Sequence, residues 1–383
     1  MNQHEKVLYC PALRMKTGEL TGLRELASDV SDHVIPRFIV PPLGEREEKQ
    51  FGLFAVGKAP DVGGVLVKFW AGRRAFIDLS YLIDEAGRTE IASWLPDMFA
   101  RTRGLRLRAI PLAMLGDIGE LEAQAFKMAI PADESLKFAI CVASGDMVRS
   151  SFGEELKVAV AKIGLGAGDC AVIADFSDAD FSDPESVAPI ISGALEQLQM
   201  LGNWQHIIFQ ATYYPEKNPA DPGEGMLCPR NEWLAWRRAV KFDPTTAEYF
   251  VFGDYAADSS KMVFGGKGGR PIPHYRYTTE SSWLIERGKE NGSVQEVMKD
   301  VCGRIVNSGH FANPRFSSAD LFIYRNSLGL EGPGSATTWR QVNTTHHVTR
   351  VVTDVAKVRS VSISEISEEP VGHEQMNLLP EVE

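Results

Sequence analysis

The sequence predicts a TIM-like (β/α)₈ barrel, with an α+β extension towards the C-terminus and an acidic, disordered tail. Three observations lead there. Eight short apolar runs alternate with segments of helical spacing between residues 9 and 252. Those runs are mostly uninterrupted, as strands buried on both faces of a parallel sheet are. No Gly-rich phosphate loop follows the first run, where a doubly wound dinucleotide-binding sheet, the competing fold, would place one.

The elements follow in order. Tyr9 to Leu13 is a strand, and Leu20, Leu23 and Leu26 give the next segment a helical face. Val34 to Val40 is the second strand, closed by Pro41-Pro42, and Ala75 to Leu79 is the third. Residues 43–74 between them are charged and Gly-containing, a decorated connection carrying some helix. Ile91 to Phe99 is helical, and Ala109 to Ala113 is the fourth strand. Phe138 to Val142, Cys170 to Asp175 and His206 to Gln210 are the fifth, sixth and seventh. Helices over Glu154–Ile163, from Asp183-Pro184 to Leu201, and over Glu232–Val240 separate the later strands, with Asp183 as N-cap and Pro184 in the first turn. Tyr249 to Phe252 is the eighth strand and delivers Asp254 to a rim.

The barrel is expected to span residues 8–289 and the extension 290–355, with 356–383 as a mobile tail. Within the extension Val294 to Val306 is helical, and Trp339 to Val352 sets His346-His347 among β-branched residues.

With 383 residues and 44% hydrophobic content the chain can bury a sizeable core. Its net charge of −11 argues against broad binding to nucleic acid or an anionic membrane, both of which need surplus Lys and Arg. No apolar segment approaches the roughly 20 residues of a spanning helix, and Met1 to Lys6 lacks the apolar core of a signal peptide. The expected location is the cytoplasm. Five scattered cysteines without a CxxC pair read as free thiols, not as a zinc site or disulfide framework.

Several short motifs, taken in order, carry a resemblance. They are Tyr9-Cys-Pro11 with Lys16-Thr-Gly-Glu19, Ile35-Pro36 to Pro41-Pro42, Asp254-Tyr255, Arg276-Tyr277-Thr278 with Arg287-Gly288, and Trp339 to His346-His347. Over residues 8–352 the chain resembles the phage "beta protein" family of phages and bacteria. The resemblance implies no settled activity. It implies a setting of phages, prophages and bacterial defence loci, sometimes beside nuclease-like neighbours. The acidic connection at 43–50 and the Gly-rich loop at 265–269 depart from the family picture.

Function in such barrels collects at the carboxyl ends of the strands. That rule selects Lys16, Glu19, Asp78, Ser144, Asp146, Asp175, Asp178, Gln210, Tyr213 and Asp254. A ring of carboxylates suits Mg²⁺ or Mn²⁺, or divides acid and base roles; the plainer reading of Asp175 to Asp183 is helix capping. Asp78, Asp175 and Asp254 are the expected acidic centre, with His346 or His347 as acid/base candidate. Lys16, Arg276 and Arg287 form an anion clamp, while Glu19, Tyr277 and Trp339 complete the ligand contacts. The alternative for Tyr275 and Tyr277 is one face of a strand in the core.

The expected function is recognition of a phosphate-bearing ligand, a nucleotide or nucleic-acid end, in phage and host conflict; if the protein is an enzyme, the expected reaction is hydrolysis of a phosphate ester or glycosidic bond. Two alternatives stand beside it. One is a noncatalytic module for a phage protein or nuclease partner, and the other is a glycoside-type hydrolase.

Overall fold

The computed structural model describes residues 7–42, 60–242, 250–261, 272–363 and 366. Tyr249 of the expected last strand, the connection at 43–50 and the loop at 265–269 lie outside them, as do 364–365 and 367–383 of the expected tail. Eleven strands are described: β1 (Ala12–Arg14), β2 (Arg37–Ile39), β3 (Arg74–Asp78), β4 (Arg108–Met114), β5 (Phe138–Ala143), β6 (Cys170–Asp175), β7 (His206–Gln210), β8 (Gly225–Pro229), β9 (Phe250–Gly253), β10 (His274–Thr278) and β11 (Ser282–Arg287).

Two compact units share them. The first holds residues 7–16, 34–213 and 231–261, and the second holds 17–33, 214–230 and the described residues from 272 onward. The contiguous barrel expected over 8–289 therefore gives way to interleaved segments. Excursions after β1 and between β7 and β9, together with the β10–β11 pair, build the second unit.

In the first unit eight parallel strands run in the order β1-β2-β3-β4-β5-β6-β7-β9. A parallel bridge between Tyr9 and Phe252 closes the ring, with Cys10 N donating to Phe252 O at 2.9 Å and Ala12 N to Asp254 O at 2.8 Å. This is the predicted (β/α)₈ barrel. Closure requires glycine at position 253, because a Cβ there would lie 2.7 Å from the Cys10 carbonyl oxygen and 3.0 Å from that of Phe209. The expected helices follow their strands. Pro184–Leu201 buries Ala188, Ile191, Leu195 and Leu198 on one stripe, and its N-cap Asp183 accepts from the amides of Glu185 and Ser186.

Period-two alternation sorts the strand side chains. Ile35, Phe76, Ile110, Leu112, Cys141, Ile173 and Ile208 face one another in the barrel interior. Two residues further along the same inward series stand Arg37, Asp78, Met114, Asp175 and Gln210. The apolar layers thus end, at the carboxyl edge, in a charged one.

The second unit contains an antiparallel sheet in the order β10-β11-β8. The helices Val294–Val306, Ser318–Leu328 and Ala336–Val358 bury Tyr275, Tyr277 and Leu284 of that sheet in a common core with Met298, Val301 and Val342. Residues 336–358 form one helix although the run is rich in Thr and Val. The hydroxyls of Thr345, Thr349 and Thr353 each donate to the carbonyl four residues back, which absorbs them within the helix.

At the amino end of the barrel Glu134 bridges two first-of-strand arginines. Arg74 Nε donates to it at 3.0 Å and Arg108 Nη2 at 2.8 Å. Burial alone would raise the carboxyl, but the two guanidinium partners outweigh it and hold Glu134 below its ordinary 4.5. A depressed carboxylate stabilises the fold above its unfolded value, and that contribution is lost as pH falls through the folded one. Glu134→Gln is therefore expected to lower the urea midpoint at neutral pH, with the gap from wild type narrowing as pH drops below about 4.5. A gap that widens on acidification would contradict this clamp.

Candidate functional site

Three barrel strands end in the same local turn. Asp78, Asp175 and Asp254 each accept, through Oδ1, the amide two residues on: Ser80 at 3.1 Å, Ser177 at 3.0 Å and Ala256 at 2.8 Å. This Asx-turn fixes one carboxylate oxygen against the backbone. In Asp78 and Asp175 the other oxygen turns into the barrel.

There both meet Arg37. Its Nε and Nη2 donate to Asp78 Oδ2 at 2.9 and 2.7 Å, and its Nη1 donates to Asp175 Oδ2 at 3.0 Å and to Gln210 Oε1 at 2.7 Å. Nη2 also points at Met114 Sδ, 4.0 Å away. All five N–H groups of the guanidinium are engaged. The group is buried with its partners; Arg37 is 5% exposed and Asp78 2%. Burial pulls the Arg37 pKa down, yet neighbouring groups, Asp78 and Asp175 among them, raise it well above its ordinary value. Tyr255 adds a hydroxyl bond to Asp175 Oδ2 at 2.9 Å, and burial first, then that carboxylate, pushes its own pKa well up. The nearby Cys10 thiol is pushed up to about 12, mainly by burial.

Asp254 is held differently. The Tyr9 hydroxyl donates to its Oδ1, and its backbone oxygen receives Gln210 Nε2 at 3.3 Å. The chain then passes through Ala256 and Ala257 at φ 51° and 57°. Two consecutive non-glycine residues in the left-handed region store strain of about 1–3 kcal/mol each. The segment is tied down by Thr212 Oγ1 to Asp258 O at 3.0 Å and by Arg14 Nη2 to the carbonyls of Ser259 and Lys261 at 3.0 and 2.8 Å.

Of the expected acidic centre, then, Asp78 and Asp175 share one guanidinium, whereas Asp254 contacts Gln210 through its backbone oxygen and holds its carboxylate on Tyr9 and Ala256. Lys16 ends the first barrel segment and is half-buried. Of the rim acids downstream of Asp175, Asp183 caps its helix, Asp180 accepts from Ser182 N in a local turn, and Asp178 accepts from Ser144 Oγ at the end of β5. Among the described residues no group of three or more His, Cys, Asp or Glu side chains is arranged to hold a metal ion, so the expected Mg²⁺ or Mn²⁺ has no such ligand set there.

The remaining expected site residues belong to the second unit. Glu19, expected at the barrel rim, lies in the helix Thr17–Arg24 and pairs with Arg340 at 2.7 Å. Tyr277 is buried and donates to Asp320 at 2.6 Å, the core role offered as its alternative. Arg276 stacks its guanidinium 4.9 Å from the Tyr214 ring centre, Arg287 donates to Ala220 O at 2.8 Å, and Trp339 Nε1 donates to Pro333 O at 2.8 Å. His346 and His347 sit on a helix and not on a strand. His346 places one ring nitrogen 3.0 Å from Asp320 and the other 2.8 Å from Thr278 O, and His347 bonds Thr278 Oγ1 at 2.8 Å. Both rings are buried within that unit.

Arg37 is the residue that sequence reasoning passed over. The available signal was a lone charge inside the apolar run Val34 to Val40, in step with Ile35. Removing it leaves two buried carboxylates without their cation. Arg37→Met is expected to destabilise the protein by about 3–5 kcal/mol in chemical denaturation. A loss below about 1 kcal/mol, the range of an exposed pair, would contradict the geometry.

Compared with known families, residues 9–353 match the family described as Beta protein, a span that takes in segments of both units. No curated protein and no solved structure matches the chain. The expected resemblance therefore holds at family level, and the chain belongs to the Beta protein family.

Proposed function

We propose that the carboxyl end of the barrel is a ligand-binding, hydrolytic centre built on Asp78, Asp175 and Asp254. One observation carries the reading. Barrel interiors fill with branched apolar layers, as this one does between its ends, and at the carboxyl end an arginine and two aspartates replace them. Buried ion pairs seldom improve on well-packed apolar side chains, because each ion loses several kcal/mol of hydration. A charged layer at the end where barrel enzymes place their chemistry is better accounted for by function than by stability. The strained Ala256-Ala257 segment, directly after Asp254, supports the same reading.

Between the two bond classes expected, the geometry favours a neutral, hydroxyl-rich substrate and hence a glycosidic bond. Four Arg37 donors already meet oxygens, the fifth faces the Met114 thioether, and the two carboxylates outnumber the guanidinium. A nucleotide or nucleic-acid end would draw its counter-charge from Lys16 or a bound Mg²⁺ or Mn²⁺. The setting proposed is the cytoplasm, in phage and host conflict. Among the described residues no helix is long and apolar enough to cross a membrane.

One observation favours a second reading, an interaction module for a phage protein or nuclease partner. The Arg37 layer is internally satisfied and buried, so it could serve as the closed floor of a scaffold. A thermal-shift screen separates the two, using methyl glycosides, nucleotides, short oligonucleotides and MnCl₂ as probes. The centre is expected to give a rise with a glycoside probe, worth about 2.7 kcal/mol at a hundredfold excess over Kd. That rise is expected to vanish in both Asp78→Asn and Asp254→Asn. No rise with any probe would overturn the proposal in favour of the interaction module.

A further inference from the structure

Resting on that reading of the barrel end, we infer that Arg37 is its positioning residue: it fixes Asp78 and Asp175 in place and does not itself touch the ligand. The side chain leaves β2 and reaches carboxylates on β3 and β6 and an amide on β7, so one planar group ties strands around the ring. Each carboxylate is held from two sides. Backbone amides take Oδ1 in the Asx-turns, and the guanidinium takes Oδ2, which leaves neither group free to rotate. Every N–H of Arg37 already faces a protein acceptor, three of them carboxylate oxygens, so the guanidinium is committed to holding this layer. Its action therefore runs through the aspartates.

Only a guanidinium fits this task. Its donors form a rigid fork that can address two carboxylates and an amide in one plane, whereas an ammonium is a point charge on a flexible stem. Arg37→Lys keeps the charge and removes the fork, which separates positioning from charge neutralisation.

The test is carboxyl ¹³C NMR of the full chain labelled at aspartate, with Asp78→Asn and Asp175→Asn supplying the two assignments. In Arg37→Lys the Asp78 and Asp175 resonances are expected to move together, while those of exposed Asp180 and Asp183 stay in place and circular dichroism stays that of the folded protein. Unmoved Asp78 and Asp175 resonances in a folded Arg37→Lys protein would overturn the inference. Should that variant not fold, Asp175 is read instead in Arg37→Met combined with Asp78→Asn, against Asp78→Asn alone, and an unchanged resonance overturns it equally. The measurement needs no ligand. A failed thermal-shift screen would remove the hydrolytic reading and leave the positioning role to be decided by these resonances.

Discussion

The guanidinium of Arg37, buried between two aspartates at the carboxyl edge of the barrel, is the constraint around which the first unit is arranged. A cation out of water is tolerable only with acceptors for its donors, and here five donors meet oxygens and a thioether supplied by four strands. The register makes this possible. Arg37 pairs with Phe76, two residues short of Asp78, so a long side chain rising by one layer arrives level with the strand-end carboxylates.

The two ends of the barrel use charge differently. At the amino end Glu134 joins Arg74 and Arg108, which begin the inward series of β3 and β4, as a partly exposed local clamp. At the carboxyl end the charges stand in the interior itself, above apolar layers that could have continued. In the first arrangement the two guanidinium partners outweigh the desolvation of the carboxylate and stabilise the fold. The second is poorly explained by stability, and it coincides with a strained backbone segment and three Asx-turns at the edge where this fold places ligand chemistry.

Much of this was legible in the sequence. Apolar runs of strand length, separated by helical spacing, mark parallel strands buried on both faces, and their count of eight with no Gly-rich loop after the first favours the barrel over a doubly wound sheet. The rule that the residue past each run faces the mouth found Asp78, Asp175, Gln210 and Asp254. The Asp-x-Ser pattern at Asp78 and Asp175 even encodes the turn that orients them. What the sequence hid depends on contacts between distant segments. Arg37 looks like one polar residue in a strand until β3, β6 and β7 surround it. Glu19, Tyr277, Arg287, Trp339 and the histidine pair share motif-like surroundings with the rim residues, yet they belong to another unit because two excursions leave the barrel. The run around His346 is β-branched, yet burial and threonine hydroxyls bonded within the helix override its strand propensity.

The central claim is that the charged layer serves function while the barrel's stability does not require it. The most direct measurement is the denaturation midpoint of Arg37→Met combined with Asp78→Asn and Asp175→Asn, compared with Arg37→Met alone. Neutralising the whole layer leaves no unpaired buried charge, so the triple variant is expected to recover most of the stability lost by the single one. A triple variant as unstable as the single one would contradict the claim and make the layer a structural necessity.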